Sequence, residues 1–207
     1  MNKNGMITTI IFDMGNVLID FRWRELFTEM GLSGERFERM ADATVRDPVW
    51  NEFDLGIWTD DMMLEAFIKN APELEDEMRA MMGEYFPRLL KKFDYTDEWL
   101  DRLKAKGYKI YILSNFSRKA FTDCADELDY VKKADVAVIS YNIHLIKPDP
   151  KIYEYILDTY DINPKEAVFI DDNPANIEAA KKFGINTVLF KDKGSADEEL
   201  HRLGVEY

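Results

Sequence analysis

The sequence predicts an α/β fold: a Rossmann-like parallel sheet core with an inserted all-helical cap domain. Three observations predict it. Short, β-rich apolar runs recur along the chain. Capped amphipathic segments lie between the last four of them. The long stretch between the first two runs carries helical patterning almost throughout. Continuous apolar runs suit strands buried on both faces, as in parallel sheets covered by helices. Alternating strand and helix then implies right-handed crossovers.

Strands are expected over 7–12, 109–113, 135–140, 167–170 and 187–190. The helix over 96–106 places Trp99, Leu100 and Leu103 on one face, and Gly107 stops it. Asp149-Pro150 reads as an N-cap followed by proline at the first helical position. That helix carries Ile152, Ile156 and Tyr160. Asn173-Pro174 repeats the start, and Gly184 ends the helix it opens. In the insert, 22–30, 35–44, 60–69 and 72–92 read as helices. It holds Met62, Met63, Met78, Met81 and Met82. Methionine at helical spacing fills a core; the alternative is a plastic binding or dimer surface. Gly31, Gly34 and Gly56 mark turns or hinges. The expected division is a catalytic core of 1–20 and 91–207 and a helical cap of 21–90.

Composition narrows the function. The 207 residues carry 27 Lys and Arg against 40 Asp and Glu, a net charge of −13. That sign disfavours a basic face for nucleic acid. Cys124 is the single cysteine, which excludes an intramolecular disulfide and a cysteine-rich zinc site. No apolar run approaches the length of a membrane span. Met1–Gly5 lacks the basic-then-apolar pattern of a signal peptide. The expectation is a cytoplasmic protein with a small-molecule partner, no nucleic acid and no membrane; the sequence does not set an oligomeric state.

Polar clusters follow three of the expected strands. Asp13 follows the first, Ser114-Asn115 the second, and Asp171-Asp172-Asn173 the fourth. Ligands of open parallel sheets bind at the carboxyl ends of the strands, so these clusters are expected to converge. Lys147 joins them from the loop after the third strand. Three carboxylates in one place repel unless a cation is present, and oxygen ligands favour Mg²⁺, which also bridges phosphate oxygens. A lysine and a serine hydroxyl suit the remaining phosphate oxygens. A carboxylate can attack phosphorus to give an aspartyl-phosphate. Taken singly, each residue also fits a structural role: a strand-ending turn, a helix start or a solvated lysine.

Four motifs in order carry a resemblance: Phe12-Asp13-Met14-Gly15-Asn16-Val17-Leu18, Leu113-Ser114-Asn115, Lys147-Pro148-Asp149-Pro150 and Phe169-Ile170-Asp171-Asp172-Asn173. The chain resembles the haloacid dehalogenase (HAD) superfamily, mostly Mg²⁺-dependent phosphatases, over its whole length. The Asp-x-Gly-Asn-Val form of the first motif is similar to the subgroup with alpha-glucose-1-phosphate phosphatase. The phosphatase domain of soluble epoxide hydrolase is a more distant relative. The resemblance implies Asp13 as nucleophile and Ser114 and Asn115 as phosphoryl-binding residues. It implies Lys147 as the neutraliser of Asp13 and phosphate. It implies Mg²⁺ held by Asp13, Asp172 and the Gly15 carbonyl, with Asp171 binding directly or from behind.

One position departs from the family. Most of its phosphatases carry an aspartate two residues after the nucleophile, which protonates the leaving group and then activates water. Here that position is Gly15. General acid–base catalysis is worth ~10²–10⁴ in rate, or roughly 3–5 kcal/mol. Three readings follow. The substrate is an anomeric sugar phosphate with a good leaving group; or the cap supplies an acid, with Asp54 the candidate; or the leaving group is halide. The last is a 2-haloacid dehalogenase, which needs no Mg²⁺; Arg22 and Arg24 are then candidates for the substrate carboxylate. A catalytically weak binding or regulatory protein on this fold is a further alternative. Substrate contacts are expected in the loop 46–58, with Trp50, Phe53 and Trp58.

Overall fold

A computed structural model describes residues 6–207. The sequence reading of Met1–Gly5 lies outside the described residues. Seven strands are present among the described residues: β1 (Thr9–Phe12), β2 (Ile19–Phe21), β3 (Leu90–Lys92), β4 (Lys109–Ser114), β5 (Val136–Ile139), β6 (Ala167–Asp171) and β7 (Asn186–Leu189). Five form a sheet of order β5-β4-β1-β6-β7, parallel throughout. The other two, β2 and β3, pair antiparallel as a separate ribbon.

Helices α1 (Trp23–Glu29), α2 (Gly34–Ala43), α3 (Trp50–Leu55), α4 (Asp60–Asn70) and α5 (Glu75–Ala80) lie between β2 and β3. The remainder carries α6 (Thr96–Ala105), α7 (Arg118–Asp123), α8 (Ser140–Ile143), α9 (Pro150–Thr159), α10 (Pro174–Lys181) and α11 (Lys193–Arg202).

Strand periodicity builds three layers. Ile10 and Phe12 face one cluster with Trp99, Leu100 and Leu103 of α6 and Leu200 of α11. Ile11 faces the other, with Ile152 and Ile156 of α9 and Ile177 of α10. Successive side chains on a strand point to opposite faces, so a fully apolar strand is covered twice. The expected caps form: Asp149 accepts from the Lys151 amide at 2.9 Å and Asn173 from the Ala175 amide at 2.9 Å.

The insert differs from expectation in three ways. Residues 72–92 are not one helix. A 3₁₀ turn at Pro72–Leu74 leads into α5, then a wide turn at Met81–Tyr85 in which Gly83 leaves helical geometry (φ −103°, ψ −108°). Gly83 and Pro87 break the helix, and Leu90–Lys92 gains a partner in β2. The stretch 46–58 is not all loop, because it contains α3. Met62 is exposed, whereas Met63, Met78, Met81 and Met82 are buried in the cluster that also holds Ile10 and Phe12. The methionines therefore pack into a core continuous with the sheet, not one private to the insert. Among the described residues no helix is long and apolar enough to cross a membrane.

Candidate active site

The strand order brings the polar clusters together. β1 lies between β4 and β6, with Phe12 level with Ile112 and Ile170. Asp13, Ser114 and Asp171 therefore emerge side by side at the carboxyl edge of the sheet. Lys147 reaches the same point from the loop before α9, through a cis Lys147–Pro148 peptide.

Contacts at this edge are dense. Asp13 Oδ1 accepts from the Met14 amide at 2.7 Å, Ser114 Oγ at 2.8 Å and Lys147 Nζ at 2.9 Å. Its Oδ2 accepts from no described residue. Lys147 Nζ also donates to Asp171 Oδ2 at 2.6 Å. Asn115 fixes the lysine backbone, accepting from its amide at 2.8 Å and donating to its carbonyl at 2.9 Å. Asp171 is fully buried; both its oxygens accept from Asn176 Nδ2 at 3.0 Å, and Oδ1 accepts from the Asn173 amide at 2.8 Å. Asp172 is half-buried and accepts from Asn16 Nδ2 at 2.9 Å. Sequence reasoning gave Asn16 and Asn176 no role. Asn16 sits at φ 57°, a conformation asparagine tolerates, so its place in the first motif was the available signal.

A cavity of about 510 Å³ opens above this floor. Asp13, Gly15, Asn115, Lys147 and Asp172 line it from the sheet side; Phe21, Trp50, Asp54, Leu89 and Leu90 line it from the insert and its ribbon. Of the expected aromatic contacts, Trp50 reaches the cavity. Phe53 is buried against Phe86 and Trp50, and Trp58 lines a separate pocket with Gly56 and Arg118. Neither Arg22 nor Arg24 lines the main cavity: Arg22 pairs with Glu29 at 3.2 Å and Arg24 sits over the Trp23 ring.

Burial shapes the charges. It pushes the Asp13 carboxyl up to about 7, opposed by Lys147 and reinforced by Asp171. It pushes Asp54 up to about 7 as well, with the Asp13 charge adding. Asp172 is raised by burial against the Asn16 hydrogen bond. Burial pulls Lys147 down, but Asp13 and Asp171 outweigh it, so its ammonium is held charged.

One carboxylate oxygen from each of Asp13, Asp171 and Asp172 lies within 4.8 Å of the others. Opposite ligands of octahedral Mg²⁺ lie about 4.2 Å apart, so a small contraction suits that ion. The carboxylates with an oxygen left for it are Asp13, through Oδ2, and Asp172, and Gly15 lines the same cavity. Asp171 is occupied by Lys147, Asn176 and Asn173, and does not line the cavity.

A family model for haloacid dehalogenase-like hydrolases matches residues 7–184. The chain belongs to this hydrolase family. It is 26% identical over 208 residues to D-ribitol-5-phosphate phosphatase of Bacteroides thetaiotaomicron, covering 93% of this chain and 95% of that protein. It is 35% identical over 111 residues to (S)-2-haloacid dehalogenase 4A of Burkholderia cepacia, 53% of this chain and 47% of that protein. It is 33% identical over 109 residues to rat bifunctional epoxide hydrolase 2, 49% of this chain and 19% of that protein. The chain thus spans about a fifth of the epoxide hydrolase and about half of the dehalogenase. The fold matches a HAD family enzyme of Bacteroides thetaiotaomicron with a TM-score of 0.74 at 23% identity, over 94% of this chain and 99% of that chain. The magnesium complex of that enzyme matches at 0.67 and 25% identity, over 91% and 96%.

Proposed function

We propose that the chain is a Mg²⁺-dependent phosphohydrolase that acts on a small phosphorylated metabolite, a sugar phosphate in particular, through an aspartyl-phosphate. The observation that carries this reading is the asymmetry of Asp13. Three donors lock Oδ1, while Oδ2 accepts from no described residue and Asp13 lines the cavity. A nucleophile needs that combination of fixed direction and a free lone pair.

Each residue then has a role. Asp13 attacks phosphorus in line. Lys147, already on Asp13, meets the phosphate oxygens, with Asn115 beside it in the cavity wall; Ser114, fully buried and outside the cavity lining, acts by holding Asp13 Oδ1. Asp13, Asp172 and the Gly15 carbonyl would hold Mg²⁺, which supplies charge neutralisation at the phosphate. Asp171 stays behind Lys147 as its counter-ion. Residues 21–90 act as the cap that covers the cavity and excludes water from the first step. The named phosphatase relative and the magnesium complex of the similar enzyme support this reading. Against a haloacid substrate, Lys147 is the only cation lining the cavity among the described residues, and two carboxylates already hold it.

The test is phosphate release from glucose 1-phosphate, glucose 6-phosphate, ribitol 5-phosphate, AMP and p-nitrophenyl phosphate, with Mg²⁺ and with EDTA. Turnover is expected that needs Mg²⁺ and falls to background in Asp13→Asn. No release from any of these esters, or release untouched by Asp13→Asn, overturns the reading.

A further inference from the structure

On the phosphatase reading above, the site must also move a proton. An alkoxide leaves from phosphorus poorly, and the water of the second step must lose a proton. Gly15 supplies no group for either task. Sterics do not require glycine there: its φ lies outside the left-handed region, and no atom lies within 4 Å of where a Cβ would stand.

The geometry says where the proton must come from. In-line displacement places the leaving oxygen on the far side of phosphorus from Asp13. That side is the wall formed by Phe21, Trp50, Asp54, Leu89 and Leu90. Asp54 is the only ionisable side chain in this wall. Its carboxyl accepts no hydrogen bond and makes no ion pair with any described residue. Asp54 is half-buried where it lines the cavity, near Asp13 and without a donor of its own.

Its backbone, by contrast, is pinned. Ser140 Oγ donates to the Asp54 carbonyl at 2.6 Å, and His144 Nδ1 lies 2.8 Å from the Leu55 carbonyl. Gly56, at φ +67°, backs onto Tyr141 so closely that a Cβ would stand 2.7 Å from the tyrosine Cβ. Three successive residues of the insert thus dock on α8 of the core, and Asp54 is the first of them. Elements that position a side chain this firmly while leaving its carboxyl unpartnered suit a group reserved for substrate.

We propose that Asp54 is the general acid and base of the reaction, supplied from the cap in place of a side chain at position 15. In the first step Asp13 Oδ2 bonds to phosphorus and the bond from phosphorus to the leaving oxygen breaks. The Asp54 carboxyl gives its proton to that oxygen, releasing an alcohol. In the second step a water oxygen bonds to phosphorus and the phosphorus–Asp13 bond breaks. Asp54 takes the water proton, which restores the carboxyl and frees phosphate.

The test compares leaving groups. Asp54→Asn and wild type are assayed with Mg²⁺ on p-nitrophenyl phosphate, whose phenolate leaves unaided, and on the fastest alkyl phosphate of the panel. The expected result is a kcat/KM, which reports the first step alone, lower by ~10²–10⁴ on the alkyl ester and by less than about tenfold on the aryl ester. Adding Gly15→Asp to Asp54→Asn is expected to restore at least a tenfold share of the alkyl rate. Equal loss of kcat/KM on both esters, or no loss, overturns the role of Asp54 while leaving the phosphatase reading intact. If wild type releases phosphate from no ester, the phosphatase reading itself has failed.

Discussion

The floor and the wall of the cavity are built on opposite plans. On the floor every charged group is answered. Asp13, Lys147 and Asp171 form a chain of ion pairs at 2.9 and 2.6 Å, braced by Ser114, Asn176 and backbone amides. On the wall, Asp54 stands among Phe21, Trp50, Leu89 and Leu90 with no described partner. The floor is finished before substrate arrives; the wall is completed by it. On the proposed function, the sheet edge carries the attack on phosphorus and the insert faces the leaving group.

The largest test of this contrast is Lys147→Met. It leaves Asp13 and Asp171 buried without their shared cation. Breaking a buried pair from one side costs about 3–5 kcal/mol. Chemical denaturation should show a loss of that size, with phosphatase activity gone. A loss below about 1 kcal/mol would mean that the floor is less tightly coupled than its distances indicate.

Gly56→Ala strikes the wall. The left-handed backbone and the overlap with Tyr141 should push α3 off α8. A cost of about 1–3 kcal/mol is expected. Because Asp54 and Trp50 ride on α3, KM for the alkyl ester should rise while Mg²⁺ affinity, read by titration, stays within about twofold. A change in Mg²⁺ affinity alone would break the separation of floor from wall.

The third test is a pH slope in thermal melts. Asp13 and Asp54 both rise from 3.8 to about 7 on folding. The folded chain therefore holds protons that the unfolded chain has given up between about pH 4 and pH 7. Their contribution is full below pH 4 and is lost as pH rises through 7. In EDTA, Tm should fall from pH 5 to pH 8. Saturating Mg²⁺ should remove the Asp13 share, and Asp54→Asn the remainder. A slope unaffected by either change would assign it to the overall negative charge.

How much of this was legible in the sequence follows from how each region is specified. Floor residues sit one or two positions beyond strands that announce themselves as apolar runs, so Asp13, Ser114 and Asp171 could be placed together from local pattern. The helix caps at Asp149 and Asn173 were readable for the same reason. The wall depends on contacts between distant segments. Nothing local distinguishes Asp54 from any aspartate near a helix end; its place across from Asp13 comes from the docking of 54–56 on α8. β3 was hidden because Leu90–Lys92 is a strand only through its pairing with β2. Arg22 and Arg24 show the reverse error, since charge near a motif did not become charge in the site.

The ribbon of β2 and β3 also bears on motion. Phe21 and Leu90 are paired neighbours, so the chain departs from the core and re-enters it at a single seam. The insert thus hangs from one edge of the core through this two-stranded ribbon. Both ends of the insert are therefore anchored at one hinge line, so a rigid tilt of residues 22–89 about the ribbon would move Trp50 and Asp54 together relative to Asp13.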